Sequence, residues 1–270
     1  MKPHVQHKTL LQFGIFENIP NLEHFSTTRK GGVSKGEFKS LNLGNYSDDD
    51  PLNIFENRSA LARFFYKDVD DFITPNQTHG TNVLLIDDAF LSLDKSEKLE
   101  RLYGIDATIT QKKDIFLCAT TADCVPILLF DKKNEVIAAV HAGWRGTSGR
   151  IVEKTVRLMR ETFGTSPADM VAAIGPSIGI ENYEVGKEVE KEFKKNGFRL
   201  GERTARILPP SKKIHLDLKE INRQELIRLG VPADQIEKTR YNTFKNSRLF
   251  FSARRQTIHC GRMLTGIMLK

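Results

Sequence analysis

The chain has 270 residues, 39% of them hydrophobic and 28% charged, with 17 Phe and a net charge of +7. That is the mix of a core-forming globular chain and excludes a disordered one, while the longest apolar run, Val125–Phe130, is far short of the ~18 residues that span a bilayer. Residues 1–183 carry 21 basic and 24 acidic side chains and residues 184–270 carry 20 and 10, with no Lys/Arg block of five, so the excess reads as a solvated face or an attraction for small anions, not as a nucleic-acid surface.

The start, residues 1–8, has neither the apolar stretch nor the cleavage site of a secretory signal. Period-two and short apolar runs predict strands at Gln12–Phe16, His24–Thr28, Asn82–Ile86, Ala107–Thr110, Ile115–Ala119, Val125–Phe130, Val136–Val140, Met170–Ile174 and Met263–Leu269. Lys132–Glu135 reads as the hairpin turn between two of these. Asp50-Pro51 caps a helix through Tyr66, with Ile54, Leu61, Ala62 and Phe65 on one face and Arg58 in the middle of it. A guanidinium there needs an anion or a polar cavity. Further helices are expected at Thr147–Phe163, Lys187–Asn196 and from the cap Asp217 through Leu229. Strands outnumber helices, no βαβ alternation persists, and neither Gly-x-Gly-x-x-Gly nor a P-loop occurs, so the fold class is mixed α/β in one domain over 1–270, with residues 1–11 peripheral.

Three cysteines cannot all pair, which points to a reducing, cytoplasmic setting. Cys118 reads as core filler. Cys124 differs, because Asp123-Cys124 lies between two apolar strands and His141 ends the next one. His79, in Gln77-Thr-His-Gly80, enters a strand from a loop. One Cys and two His make an accepted set for a catalytic zinc site with an open position, although spacings of 45 and 17 residues form no recognised motif. A metal-free Cys124–His141 thiolate–imidazolium pair fits the same residues.

The runs Phe25–Ser34, Ser40-Leu41-Asn42-Leu43-Gly44, Glu56-Asn-Arg58, Gln77–Gly80, Thr121–Pro126, His141-Ala-Gly-Trp-Arg-Gly146, Gly175–Gly179 with Tyr183–Gly186, and Phe250-Phe-Ser-Ala-Arg-Arg255 occur in the order of one family. In these the chain resembles the YfiH, or laccase-domain, family, also called polyphenol oxidase and purine nucleoside phosphorylase. The resemblance implies one domain of two mixed β-sheets sandwiched between helices, a fold shared with cytotoxic necrotizing factor deamidases. It implies a zinc held by His79, Cys124 and His141; Asp123, a carboxylate adjacent in sequence to these motif positions, is the further catalytic candidate, to move a proton in deamination. It also implies purine nucleosides and phosphate as partners, for phosphorolysis of adenosine, inosine, guanosine and methylthioadenosine, and for adenosine deamination. Arg58, Arg145, Arg29, Asp106 and the asparagine of the Ser40–Gly44 run, next to Leu43, are the expected substrate contacts, in a monomer or weak homo-oligomer. Copper and oxidase chemistry are the weaker reading, since none of the seven histidines forms a His-x-His pair. A Cys–His amidase acting on cell-wall peptides is the remaining alternative.

Overall fold

Both faces of the central strands are apolar: in Val125–Asp131 and Val136–Ala142 every residue is buried. Such strands need cover on two sides. A computed structural model, which describes residues 1–3, 9–209 and 212–270, provides it in four layers. One six-stranded sheet runs Lys2–Pro3, Leu10–Gln12, Leu22–Thr27, Met263–Leu269, Phe116–Thr121, Phe72–Ile73. The other runs Ile236–Lys238, Met170–Ile174, Val125–Asp131, Val136–Ala142, Ile105–Thr110, Asn82–Leu85. Leu128, Phe130, Ile137 and Ala139 of the second sheet meet Leu117, Ile267 and Leu269 of the first. The alternate residues Ile127, Leu129, Ala138 and Val140 face the helices Ile151–Phe163 and Leu218–Arg228 through Val152, Val156, Met159, Ile221 and Leu226. The helix Pro51–Phe64 covers the outer face of the first sheet, with Leu61 and Ala62 on Phe25 and Phe116. Each fully buried large apolar side chain contributes about 1.5–3 kcal/mol. This is the expected pair of mixed sheets between helices.

Local signals set most boundaries. The Asp50 carboxylate accepts the Leu52 N–H and Asp217 accepts that of Glu220, as helix caps do. Two expectations need correction. Gln12–Phe16 is not one strand: pairing ends at Gln12 and Gly14–Phe16 turns as a 3-10 helix, which buries Phe13 and Phe16 around the His24 ring. Thr147–Phe163 is not one helix either. Trp144–Ser148 ends at Gly149, and Arg150 takes a left-handed φ of 63° before Ile151–Phe163 begins. A Cβ on Gly149 would come within 2.6 Å of the Thr81 methyl, so the chain turns where the loop beside it approaches. The hairpin Ala205–Leu208/Lys213–Leu216 and the short helices Asp88–Leu91 and Lys95–Arg101 carry no strong periodicity and went unread. Of the segment expected to be peripheral, residues 4–8 lie outside the described residues, and Leu10 and Leu11 are buried. Among the described residues no helix is long and apolar enough to cross a membrane.

Candidate active site

Strand register assembles the site. Val125–Asp131 and Val136–Ala142 are antiparallel, with Pro126 opposite His141 and Val125 opposite Ala142. Cys124, just before the first strand, therefore lies at the same end as His141. On the other side Ile105–Thr110 pairs Ala107 with Val140, and one step further along sets Asp106 beside His141. The edge strand Asn82–Leu85 runs parallel to Ile105–Thr110, so the loop that enters it brings His79 to the same end.

His79, Cys124 and His141 each offer one ligand atom, and these atoms lie within 4.8 Å of one another. The two imidazoles meet edge to face, centroids 4.9 Å apart. Asp106 organises both. Its Oδ1 is 2.8 Å from His141 Nδ1, which leaves Nε2 free to ligate, and accepts the His79 N–H at 3.1 Å. Its Oδ2 accepts the Gly80 N–H at 2.7 Å. These bonds hold His79 at a φ of 63°, a left-handed conformation uncommon outside glycine. Gly143 leaves the ligands room, because a Cβ there would come within 2.9 Å of His79 Cδ2 and 3.1 Å of Cys124 Sγ.

The electrostatics match the geometry. Burial pushes the Cys124 thiol up, but His141 and His79 outweigh it and bring the group down to about 6. Burial pulls His141 down, yet the Cys124 charge and Asp106 raise it to about 9. One thiolate and two imidazoles, one fixed by a buried carboxylate, are a fitting donor set for a four-coordinate metal that keeps one position open.

These ligands line a cavity of about 560 Å³ together with Gln77, Thr120, Tyr183, Arg254 and Arg262. Burial, reinforced by the negative charge of Cys124, raises the Tyr183 phenol, so it stays protonated. Several expected contacts lie elsewhere. Arg58 is buried and donates to the Leu43 carbonyl at 3.2 Å and to Thr74 Oγ1 at 3.1 Å, tying helix to sheet outside this cavity. Arg145 lies on the Trp144 ring and Arg29 on the Phe251 ring, each 4.3 Å from the centroid, and neither lines the cavity. Leu43 is fully buried, and the neighbouring Asn42 turns its amide to Ser47 and Asp49. Asp106 is spent on His141 and backbone, away from the cavity wall. Asp123 does reach the wall, but its oxygens accept Thr243 Oγ1 at 2.5 Å, Ser252 Oγ at 3.0 Å and the Arg254 N–H at 2.7 Å. That anchors the C-terminal loop and occupies both carboxylate oxygens. Arg254 and Arg262 were missed as site residues, although Arg254 stood within the Phe250–Arg255 run.

The sequence model of the family described as multi-copper polyphenol oxidoreductase laccase matches residues 23–270. The chain is 44% identical over 262 residues to a purine nucleoside phosphorylase of Bacteroides thetaiotaomicron, covering 97% of each chain. It is 40% identical over 254 residues to adenosine deaminase RL5 of an unknown prokaryotic organism, covering 94% of this chain and 96% of that one. The crystal structure of the Bacillus licheniformis hypothetical protein YfiH superposes with a TM-score of 0.90 at 30% identity, over 99% of this chain and 98% of that one. The chain belongs to this laccase-domain family and is an enzyme.

Proposed function

We propose that this member of the laccase-domain family is a zinc-dependent purine nucleoside phosphorylase that also deaminates adenosine, working in the cytoplasm, where its free thiols stay reduced. The observation that carries the reading is the His79–Cys124–His141 group, on the wall of a nucleoside-sized cavity, in a chain similar over nearly all of its length to a phosphorylase and a deaminase. In phosphorolysis a phosphate oxygen bonds to C1′ of the ribose as the C1′–N9 bond breaks. The electron pair passes to the purine, which takes up a proton, and the products are free base and ribose 1-phosphate. In deamination a water oxygen adds at C6 and the amine leaves as ammonia.

His79, Cys124 and His141 would hold the zinc, which when bound supplies Lewis-acid polarisation and neutralises charge at the reacting centre. The chain's own residues do the rest. Asp106 keeps His141 in the ligating tautomer and fixes the His79 loop, so binding needs little reorganisation. Tyr183 keeps a proton at its Oη and can donate it in a hydrogen bond to the base. Adenosine, inosine, guanosine and methylthioadenosine share the purine and C1′ that this arrangement addresses. Chromatography after incubating the zinc-loaded protein with inosine or adenosine tests the reading: free base and ribose 1-phosphate should form only with phosphate. Conversion of adenosine to inosine should proceed without it.

A second reading draws on the Cys124 thiol at about 6 beside His141 at about 9. That pair suits a cysteine amidase acting on cell-wall peptides, and such an activity would survive chelation. Copper oxidase chemistry has less support, since among the described residues one three-ligand group is present and multicopper centres need many more imidazoles.

A further inference from the structure

Phosphate carries one to two negative charges near neutral pH, and the arginines expected to neutralise them do not line the cavity that contains the metal ligands. Two others do: Arg254 and Arg262. We propose that Arg254 and Arg262 form an oxyanion subsite of this cavity and hold the phosphate co-substrate, an inference that rests on the phosphorylase reading above.

Among the described residues both guanidinium groups are oriented by neutral acceptors alone. Arg254 Nη1 donates to the Glu184 carbonyl at 2.9 Å, and the group lies over the Tyr183 ring, 5.3 Å from its centroid. Arg262 Nη2 donates to the Ile258 carbonyl at 2.9 Å and Nη1 to that of Gly261 at 3.2 Å. Among the described residues neither is ion-paired with a carboxylate, so both charges remain available to an anion. Carbonyl anchoring is what such a subsite requires: it fixes the donors without cancelling their charge. Asp123, among the described residues the single carboxylate on the cavity wall, is withheld. Two hydroxyls and the backbone N–H of Arg254 take its oxygens, so it seats Arg254 in place of pairing with it.

Arg262 has its own seat, built from the Ser40–Gly44 run. The fully buried Asn42 accepts the Arg262 N–H at 2.9 Å through Oδ1. Gly44 lies under the Arg262 side chain, where a Cβ would come within 2.8 Å of Cγ. A buried carboxylate and a buried amide are thus committed to placing two cations on the wall of the cavity that the metal ligands also line. An anion of two or more charges that can accept several hydrogen bonds suits this pair, and a neutral nucleoside does not.

The test uses Arg254→Gln and Arg262→Gln in the zinc-loaded protein, with inorganic phosphate as the probe. Each substitution should raise the phosphate KM for inosine phosphorolysis about tenfold or more, and by a larger factor than the inosine KM. Arg254→Lys should recover part of the loss, since a charge remains although the fork is gone. Arg254 is exposed, so its replacement disturbs no core even where that of Arg262 does. Calorimetric binding of inorganic phosphate to wild type, weakened in both variants, is the readout independent of turnover. A wild type that phosphorylyses inosine while both variants keep a phosphate KM within about twofold overturns the subsite and leaves the phosphorylase reading standing. A wild type that makes no ribose 1-phosphate overturns that reading, and the subsite then stands or falls on the calorimetry.

Discussion

Asp106 has the largest leverage of any single side chain here, because one carboxylate serves two ligands. Asp106→Asn keeps the size but turns an amide N–H toward backbone donors. Zinc affinity, read by competition with a chromophoric chelator, should fall about 10–100-fold. Unchanged affinity would mean the carboxylate is structural only. The thiols give a second residue-scale outcome. In metal-free protein His141 and His79 bring Cys124 to about 6, whereas burial pushes Cys118 up to about 12. Lowering an acid's pKa widens the range in which it is ionised. Alkylation of Cys124 by iodoacetamide should therefore rise as pH passes through about 6 and level off by about 7.5. A midpoint near the ordinary thiol value of about 8.5 would contradict the pairing. In the sequence, Cys124 and His141 were legible as a pair because a short hairpin joins them. The role of Asp106 was not, because it depends on register in a third strand that no local signal fixes.

At the scale of elements, apolar runs marked the central strands well, and Met170–Ile174 and Met263–Leu269 fall where the run predicts. Hairpin pairing was readable from the Lys132–Glu135 turn, where Asp131 Oδ1 accepts the Lys133 and Asn134 N–H groups. What escaped was set by tertiary contact: the break at Gly149–Arg150, the early end of the strand at Gln12, and the pairing of Ala205–Leu208 with Lys213–Leu216. The last strand illustrates the packing. Met263–Leu269 lies between Leu22–Thr27 and Phe116–Thr121, and at Gly266 a Cβ would come within 2.9 Å of the Phe25 ring and 3.0 Å of Cys118 Sγ. Gly266→Val should therefore destabilise the fold by about 1–3 kcal/mol through overpacking, measured by urea unfolding. Wild-type stability in that variant would show that the packing between the first sheet and the helix over its outer face has slack at this point.

For the whole molecule, four layers bury both faces of both sheets, and the His79–Cys124–His141 group gathers at one end of the second sheet, where two strands and an edge loop bring these residues together. The C-terminal loop, tied down by Asp123, adds Ala253, Arg254, Ile258 and Arg262 to the cavity wall. The basic excess of the last third thereby acquires a partial use, since Arg254 and Arg262 belong to it. Composition located that excess but could not separate these two from the solvated remainder. They differ by being seated through contacts more than 100 residues away in sequence. The measurement that bears most directly on this account is the product analysis of inosine incubated with zinc-loaded wild type and with Cys124→Ser, each with and without phosphate. Hypoxanthine and ribose 1-phosphate in equal amounts, from wild type with phosphate only, is the expected result. Ribose 1-phosphate absent from every sample, or formed equally by Cys124→Ser, would contradict it.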